Sequence, residues 1–244
     1  MSILSKYKNF LNNSNNKNLE LIHHSKKADD IYSMAILQPL LIDYPYIPFT
    51  ASSLRPLCLA YILNEIIINE RKFILEFGMG ISTIMIARLI KKNNLNVKIY
   101  SVEHNKVWAD IINDYLIKED LKHFVTFIVA DLKEIDSPLG MVKWYDYSVI
   151  MNKIKEQKFD LIIVDGPPAY KDSIQFSRGP ALFNLKTNFE KDFCLILDDA
   201  HRIGEVNIIK LFKELNINIK FSIVSDTLAV FRSIENFDPL PIQY

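Results

Sequence analysis

Short apolar runs alternate with longer amphipathic stretches from about residue 73 to the end of the chain. Five of these runs have the length of buried strands, namely 73–77, 97–102, 124–130, 161–164 and 193–197. Apolar spacing predicts helices over 83–92 and 206–215, and Asn105 is a suitable N-cap for a further helix that ends near residue 120. This alternation is typical of a parallel sheet with helices on both faces.

The last two apolar runs, 221–224 and 228–231, lie close together in the chain. The turn between them, at Ser225, Asp226 and Thr227, leaves no room for a crossover helix, so the two strands are expected to be antiparallel neighbours. The pattern therefore predicts an α/β fold with a seven-stranded, mostly parallel sheet and an antiparallel C-terminal hairpin.

The first 48 residues differ from the rest and are predicted to form an N-terminal helical and extended arm and lid. Residues 1–28 are rich in Asn, Lys and Ser, and His23 and His24 there are interpreted as solvated surface. Residues 40–50 are aromatic and contain prolines, which favours an extended segment. Its aromatic residues either cover a ligand or pack against the sheet, and they are Tyr44, Tyr46 and Phe49.

Residues 49–244 are predicted to form one domain, in which Ser52 or Ser53 caps a helix that runs through 61–68. Residues 132–157 are an insertion before the fourth strand. Its aromatic side chains either line an acceptor pocket or fill a small core of their own, and they are Trp144, Tyr145 and Tyr147.

Composition excludes several classes of protein. The 29 basic residues equal the 29 acidic ones, whereas binding to a nucleic-acid backbone needs an excess of Lys and Arg. Two cysteines, Cys58 and Cys194, make no disulfide framework and no metal-ligand spacing. No run of 18 apolar residues exists, and the polar N-terminus does not resemble a signal peptide, so a cytoplasmic protein without membrane insertion is expected.

Glycine is scarce, with 6 in 244 residues, so the placement of each one is informative. Gly78 and Gly80 directly follow the first predicted strand and precede a helix, a turn that lets a ligand approach the backbone and the helix N-terminus. Thr83 stands where a dinucleotide-binding fingerprint has its third glycine, and no phosphate-binding Gly-Lys-Ser ending is present. The alternative interpretation is that Gly78 and Gly80 form a tight turn that binds no ligand.

Acidic residues end the next four predicted strands, at the edge where open α/β sheets bind ligands. Glu103 is placed to accept hydrogen bonds from ribose hydroxyls, and Asp131 either meets a purine amine or caps a helix. Asp165 ends the fourth strand in Asp-Gly-Pro-Pro, and Asp198 and Asp199 end the fifth.

This ordered series resembles the class I S-adenosylmethionine-dependent methyltransferases from about Phe49 to the C-terminus, and its Gly-Ile-Ser-Thr variant resembles a poorly characterised bacterial branch. The resemblance implies a Rossmann-like three-layer sandwich and an S-adenosylmethionine site. The expected donor-binding residues are Glu76, Gly78, Gly80, Ser82, Thr83, Glu103, His104, Asp131, Leu132 and Asp165.

The series also resembles O-methyltransferases of the catechol type, which hold a divalent metal with an acid after the fourth strand and an Asp-Asn pair after the fifth. Asp165, Asp198 and Asp199 occupy those positions, and an all-oxygen set suits Mg²⁺. The chain departs from that group in having Asp199 in place of Asn and Pro-Pro after Gly166. The alternative is that the two aspartates cap the following helix and pair with Arg202.

Four residues are expected to face the acceptor, namely Asp165, Arg178, Asp199 and His201. His201 is a candidate general base because an unperturbed imidazole titrates near neutrality, with surface exposure as the alternative and Asp165 as a second candidate base. Arg178 either holds an anionic substrate or makes structural ion pairs.

The sequence therefore favours an S-adenosylmethionine-dependent methyltransferase that acts on an oxygen of a small molecule or sugar derivative. A nitrogen acceptor is disfavoured because Ala169 precedes Tyr170, so the Pro-Pro-aromatic motif of amino-methylating relatives is absent. Two other hypotheses remain open at this point: a non-catalytic nucleoside-binding or scaffold protein, and a nicotinamide-dependent oxidoreductase.

Overall fold

The computed structural model describes residues 26–241 of the chain, so most of the predicted N-terminal arm, including His23 and His24, lies outside the described residues. Nine strands are present in this part: β1 Phe73–Phe77, β2 Lys98–Glu103, β3 Val125–Val129, β4 Leu132–Ser137, β5 Gly140–Tyr145, β6 Phe159–Val164, β7 Phe189–Leu197, β8 Lys220–Val224 and β9 Leu228–Arg232. The α-helices among these residues are α1 (its described part, 26–37), α2 Pro56–Ile68, α3 Ile81–Asn93, α4 Lys106–Lys118, α5 Tyr147–Ile154, α6 Gly179–Phe183 and α7 Ile203–Leu215.

Seven strands form one sheet in the order β3-β2-β1-β6-β7-β9-β8. The first five strands in this order pair in parallel, and β9 pairs antiparallel with both β7 and β8. The predicted seven-stranded sheet with an antiparallel C-terminal hairpin is confirmed. Strand β1 lies between β2 and β6, and the strand order changes direction between β1 and β6. The ends of these three strands therefore lie side by side.

Helices cover both faces of the sheet, which confirms the three-layer arrangement. On one face Ile74 packs into a core that includes residues of α2, α3 and α4, such as Ile86. On the other face Leu75 and Phe77 pack into a core formed with α5, α6, α7 and the end of β5. Because side chains alternate along a strand, Glu76 points toward the α3 face while Phe77 points toward β5.

One local prediction was wrong, and one segment contains elements that were not predicted. Helix α2 begins at Pro56 with Arg55 as its N-cap and without a side-chain cap bond, so neither Ser52 nor Ser53 caps it. Proline fixes φ at a helical value and needs no N–H partner in the first turn, which explains the start. The segment with unpredicted elements is the insertion at 132–157, where β4 and β5 pair as an antiparallel hairpin followed by α5.

The aromatic residues before α2 have separate surroundings. The guanidinium of Arg88 lies 4.4 Å from the ring centre of Tyr44, Tyr46 is exposed, and Phe49 packs against the core. Residues 45–50 form neither a helix nor a strand, and they follow a short 3₁₀ turn at Gln38–Leu40. Within residues 26–241, none of the helices combines the length and the apolar character that crossing a membrane requires.

Candidate active site

A cleft of ≈ 570 Å³ opens at the carboxyl ends of β1, β2, β6 and β7. One wall is formed by the loop at 50–55, and the floor by the turn that follows β1 and the segment that follows β6. Ligands of open α/β sheets bind at this edge. Predicted site residues that line the cleft are Gly78, Gly80, Ser82, Glu103, His104, Asp165, Arg178, Asp198, Asp199 and His201.

The two glycines of the first turn have different surroundings. Gly78 has φ +95°, and a Cβ atom built there would lie 2.5 Å from the main-chain oxygen of Asp165, so only glycine fits. A Cβ built on Gly80 meets nothing within 4 Å, because this residue faces the open cleft. The turn therefore packs tightly against β6 at Gly78 and leaves room for a ligand at Gly80.

Glu76 is fully buried behind this turn and does not line the cleft. Its carboxylate accepts hydrogen bonds from the hydroxyls of Ser82, Thr83 and Ser101. The Thr83 hydroxyl in turn accepts from the Gly80 N–H at 3.1 Å, so Thr83 supports the turn in place of a third glycine. Burial raises the pKa of Glu76.

The carboxylate of Glu103 stands at the end of β2 and is only 5% exposed. Its Oε1 accepts from the backbone N–H groups of His104 at 2.9 Å and Asn105 at 2.7 Å, while no described residue donates to Oε2. The Nδ1 atom of His104 lies 2.8 Å from the same Oε1, and this proximity to a carboxylate raises the pKa of His104. Glu103 therefore keeps one oxygen for a ligand.

The structure places Asp131 and Leu132 apart from the cleft lining, at the start of the β4–β5 hairpin. Asp131 is exposed and is followed by a strand, so the alternative role as a helix N-cap is wrong. Neither residue is among those that line the cleft, and Thr83 is not among them either.

Arg178 is almost fully buried within the acidic cluster at the ends of β6 and β7. Its Nη1 lies 3.0 Å from Asp199 Oδ2 and donates to the Asp198 carbonyl, and its Nη2 lies 3.4 Å from Asp165 Oδ1. The guanidinium of Arg178 therefore makes structural ion pairs, which was one of the two roles predicted for it. Burial, together with the neighbouring charges of Asp198 and Asp199, raises the pKa of Asp165 well above its usual value, although Arg178 opposes the shift.

The far side of the cluster contains a second arginine and a histidine. Arg202 pairs with Asp199 Oδ2 at 2.7 Å, which was one of the predicted alternatives, but α7 has no side-chain cap at its N-terminus, so the aspartates do not cap it. His201 is exposed at the mouth of the cleft.

Several lining residues were not identified from the sequence. Trp108 on α4 donates from Nε1 to the Met79 carbonyl at 2.6 Å and so ties that helix to the glycine turn. Others are Asn105, Tyr170, Thr227 and the loop at 50–55. The position of Trp108 one turn after the Asn105 cap was the available signal, since the first turn of a helix after β2 faces the ligand edge.

Comparison with known proteins agrees with this geometry. A family model described as a methyltransferase domain matches residues 75–199, which is more than half of the chain. No curated protein sequence matches the chain significantly. The matched range begins in β1 and ends at Asp199, so it contains the glycine turn and the acidic cluster.

Solved structures with the same fold have low sequence identity. A Klebsiella pneumoniae protein assigned as an O-methyltransferase has 16% identity and a TM-score of 0.54, with 87% of this chain and 98% of that one covered. A Staphylococcus aureus protein assigned as a caffeoyl-CoA O-methyltransferase has 15% identity and a TM-score of 0.51, with 95% and 99% covered. A methyltransferase from Geobacter sulfurreducens has 13% identity and a TM-score of 0.51, with 83% and 88% covered.

At such identities these structures establish the fold, and the family model establishes the membership. Together with the glycine turn and the acids at the strand ends, they show that the chain belongs to the methyltransferase-domain family of class I S-adenosylmethionine-dependent enzymes.

Proposed function

We propose that this methyltransferase transfers a methyl group to an oxygen atom of a small molecule or sugar derivative. The observation that supports this proposal best is the position of Asp165, a carboxylate with a raised pKa that lines the same cleft as the open space at Gly80. A hydroxyl acceptor must lose a proton during methylation, and a carboxylate of raised pKa accepts one more readily.

The residues present fit S-adenosylmethionine. The free Oε2 of Glu103 would accept from its ribose hydroxyls, and the open space at Gly80 and Ser82, at the N-terminus of α3, would hold its amino-acid end. The carboxylates of the cleft favour its cationic sulfur. Glu76 and Thr83 support the turn from behind, whereas Asp131 and Leu132 stand outside the lining, so any contact from them remains a prediction.

When bound, S-adenosylmethionine supplies a methyl group on a positively charged sulfur; attack by the acceptor oxygen forms the C–O bond, breaks the C–S bond and leaves the neutral thioether. We assign the proton of the acceptor hydroxyl to Asp165, whose side chain is 17% exposed and lines the cleft, and keep His201 at the mouth as the rival base. Arg178 and Asp199 hold Asp165 in place, and in this proposal they are positioning residues.

Mg²⁺ is the second group to consider, because one oxygen of each of Asp165, Asp198 and Asp199 could be ligands within 4.8 Å of one another. Two of these carboxylates, however, already pair with the guanidinium of Arg178. A buried guanidinium supplies a fixed positive charge at the same place, so we infer that arginine rather than a metal ion balances this cluster. No step of the proposed reaction passes through a metal.

The family match rules out the nicotinamide-dependent oxidoreductase. The other alternative, a non-catalytic nucleoside-binding or scaffold protein, is tested by measuring turnover. The zero net charge supports a small-molecule acceptor over a nucleic acid.

We also propose that the chain divides at residue 48 into an N-terminal arm and the methyltransferase domain that follows it. Residues 50–55, just inside the domain, form a wall of the cleft.

Titration calorimetry with S-adenosylhomocysteine, with NADH in parallel, tests the donor site. Wild-type protein is expected to bind only the homocysteine compound, in the micromolar range. Gly80→Asn should abolish binding without unfolding the protein, because asparagine is a good N-cap residue whose side chain would fill the cleft and occupy the N–H groups of α3.

Gly140→Asn is the matched control, since Gly140 has open space around it in the β4–β5 turn, away from the cleft, and asparagine tolerates its positive φ. Preference for NADH would contradict the proposal. Screening hydroxylated and aminated acceptors for production of S-adenosylhomocysteine then separates oxygen from nitrogen acceptors and tests for turnover.

A further inference from the structure

Tyr145, the last residue of β5, is held rigidly against the floor of the cleft. It is 1% exposed, and its ring centre lies 5.8 Å from that of Phe77, 5.9 Å from that of Trp144 and 6.2 Å from that of His104. It is nonetheless one of the residues that line the cleft. Aromatic contacts on several sides therefore fix the ring at the floor of the cleft.

The Tyr145 hydroxyl lies where β1 and β6 end. A Cβ atom on Gly166 would lie 2.5 Å from this oxygen and 2.9 Å from the Cα of Gly78, so the hydroxyl stands over the two glycines of the floor. A side chain at position 166 would displace it. The absence of a side chain there leaves room for the oxygen at the floor of the cleft.

This hydroxyl is buried and has no hydrogen-bond partner among the described residues. Burial, with the nearby charge of Glu103, raises its pKa well above the usual value of 10.0, so the group stays protonated and remains a donor. Buried polar groups almost always have partners, and an unpaired one in a native structure calls for an explanation. A bound ligand is the partner available to a hydroxyl on a residue that lines the cleft.

We propose that the hydroxyl of Tyr145 donates a hydrogen bond to the nucleoside half of the bound methyl donor. The proposal rests on the S-adenosylmethionine site described above. The nucleoside half is indicated because the Tyr145 ring contacts His104, next to Glu103, whose free oxygen faces the ribose in that site. The β4–β5 hairpin, whose aromatic residues were predicted either to line an acceptor pocket or to fill a small core, thereby becomes part of the donor site.

The test compares Tyr145→Phe with wild type in calorimetric titrations of two probes. S-adenosylhomocysteine contains both halves of the donor, whereas 5′-methylthioadenosine lacks the amino-acid half. Loss of one hydrogen bond is expected to raise the Kd of both compounds by the same factor, about 5- to 30-fold. Tyr147→Phe is the control, since Tyr147 lies two residues further on, is 38% exposed and does not line the cleft; its Kd values should not change.

A second measurement separates ligand binding from a structural role. Without ligand, Tyr145→Phe should melt at the wild-type temperature or above it, because the hydroxyl it removes has no partner in the free protein. A lower melting temperature would mean that the hydroxyl has a partner within the chain, and it would overturn the proposal.

The remaining outcomes are also decisive. Equal Kd values for wild type and Tyr145→Phe would overturn the proposal while leaving the donor site intact. Weaker binding of S-adenosylhomocysteine alone would place the contact on the amino-acid half and reject the assignment to the nucleoside. Failure of the wild-type protein to bind either probe would instead reject the donor site itself, and this proposal with it.

Discussion

A Cβ atom on Gly78 would lie 2.5 Å from the main-chain oxygen of Asp165, a residue 87 positions later in the chain. On either side of this contact, the Gly78 N–H donates to Val102 at 3.0 Å and the Asp165 N–H donates to Phe77 at 2.9 Å. The ends of β1, β2 and β6 thus meet at a single glycine. The motif Gly-x-Gly therefore combines a packing position with a ligand-facing one.

Gly78→Ala should destabilise the protein by at least about 2 kcal/mol, because alanine combines a strained positive φ with a backbone clash. Gly80→Ala is the matched variant and should change the free energy of unfolding by less than about 1 kcal/mol, since its Cβ meets no atom. Urea denaturation measures both. Equal stability of the two variants would show that the contact at Gly78 is not as close as described.

Arg178→Gln should lower the free energy of unfolding by about 3–5 kcal/mol, because it leaves the fully buried Glu205 and the largely buried Asp165 without their nearest cation. Arg202→Gln is the control: its side chain is about one-third exposed, and Asp199 keeps its pair with Arg178. A loss below about 1 kcal/mol is expected there. Equal losses in the two variants would argue that burial of Arg178 does not determine its contribution.

Methyl transfer should be insensitive to EDTA, and MgCl₂ should not raise the melting temperature, because Arg178 supplies the positive charge among the aspartates. The measurement is the rate of S-adenosylhomocysteine production with and without chelator. Loss of activity in EDTA, restored by Mg²⁺ and abolished in Asp198→Asn, would establish a metal site at this cluster instead.

Asp165→Asn should reduce kcat by about 100-fold or more if the carboxylate accepts the acceptor proton, while His201→Gln should retain activity within about tenfold. The pH profile of kcat/KM distinguishes the two candidates. The acidic limb of the wild-type profile should persist in His201→Gln and vanish from the residual activity of Asp165→Asn. The reverse pattern would assign the proton transfer to His201.

Glu205 gives stability a pH dependence of definite sign. It is fully buried in α7, and none of the described residues donates a hydrogen bond to its oxygens. Its Oε1 lies 3.8 Å from Arg178 Nε, and burial raises its pKa from 4.5 to about 7. The folded state binds this proton more tightly than the unfolded state. The stabilising contribution is therefore complete below about pH 4.5 and is lost as the pH rises through 7.

Glu205→Gln should accordingly gain stability relative to wild type between pH 5.5 and pH 8, by about 1–3 kcal/mol at the upper end. Thermal unfolding of both proteins across this range measures the difference. Glu214→Gln, an exposed position on the same helix, should show no such trend. A constant difference between wild type and Glu205→Gln at all pH values would contradict the assignment.

Much of the fold was accessible from the sequence because its determinants are local. Buried strands such as 73–77 are continuous apolar runs, and the N-cap at Asn105 is visible in a few residues. The short turn at Ser225–Thr227 excluded a crossover helix and so fixed the antiparallel end of the sheet. The hairpin at 132–145 was missed because its exposed strands alternate charged and apolar residues without a continuous apolar run.

The sequence by itself determined the layer architecture, the position of the ligand edge and the types of side chain that gather there, since apolar periodicity and strand-end acids depend only on neighbouring residues. Tertiary structure alone decided which acids face the cleft. Strand alternation directs Glu76 toward the hydroxyls of α3, packing buries Arg178 among carboxylates from separate strands, and the β4–β5 hairpin brings Tyr145 to the floor. Each of these contacts joins segments whose approach depends on packing of the whole sheet, and no local pattern encodes it.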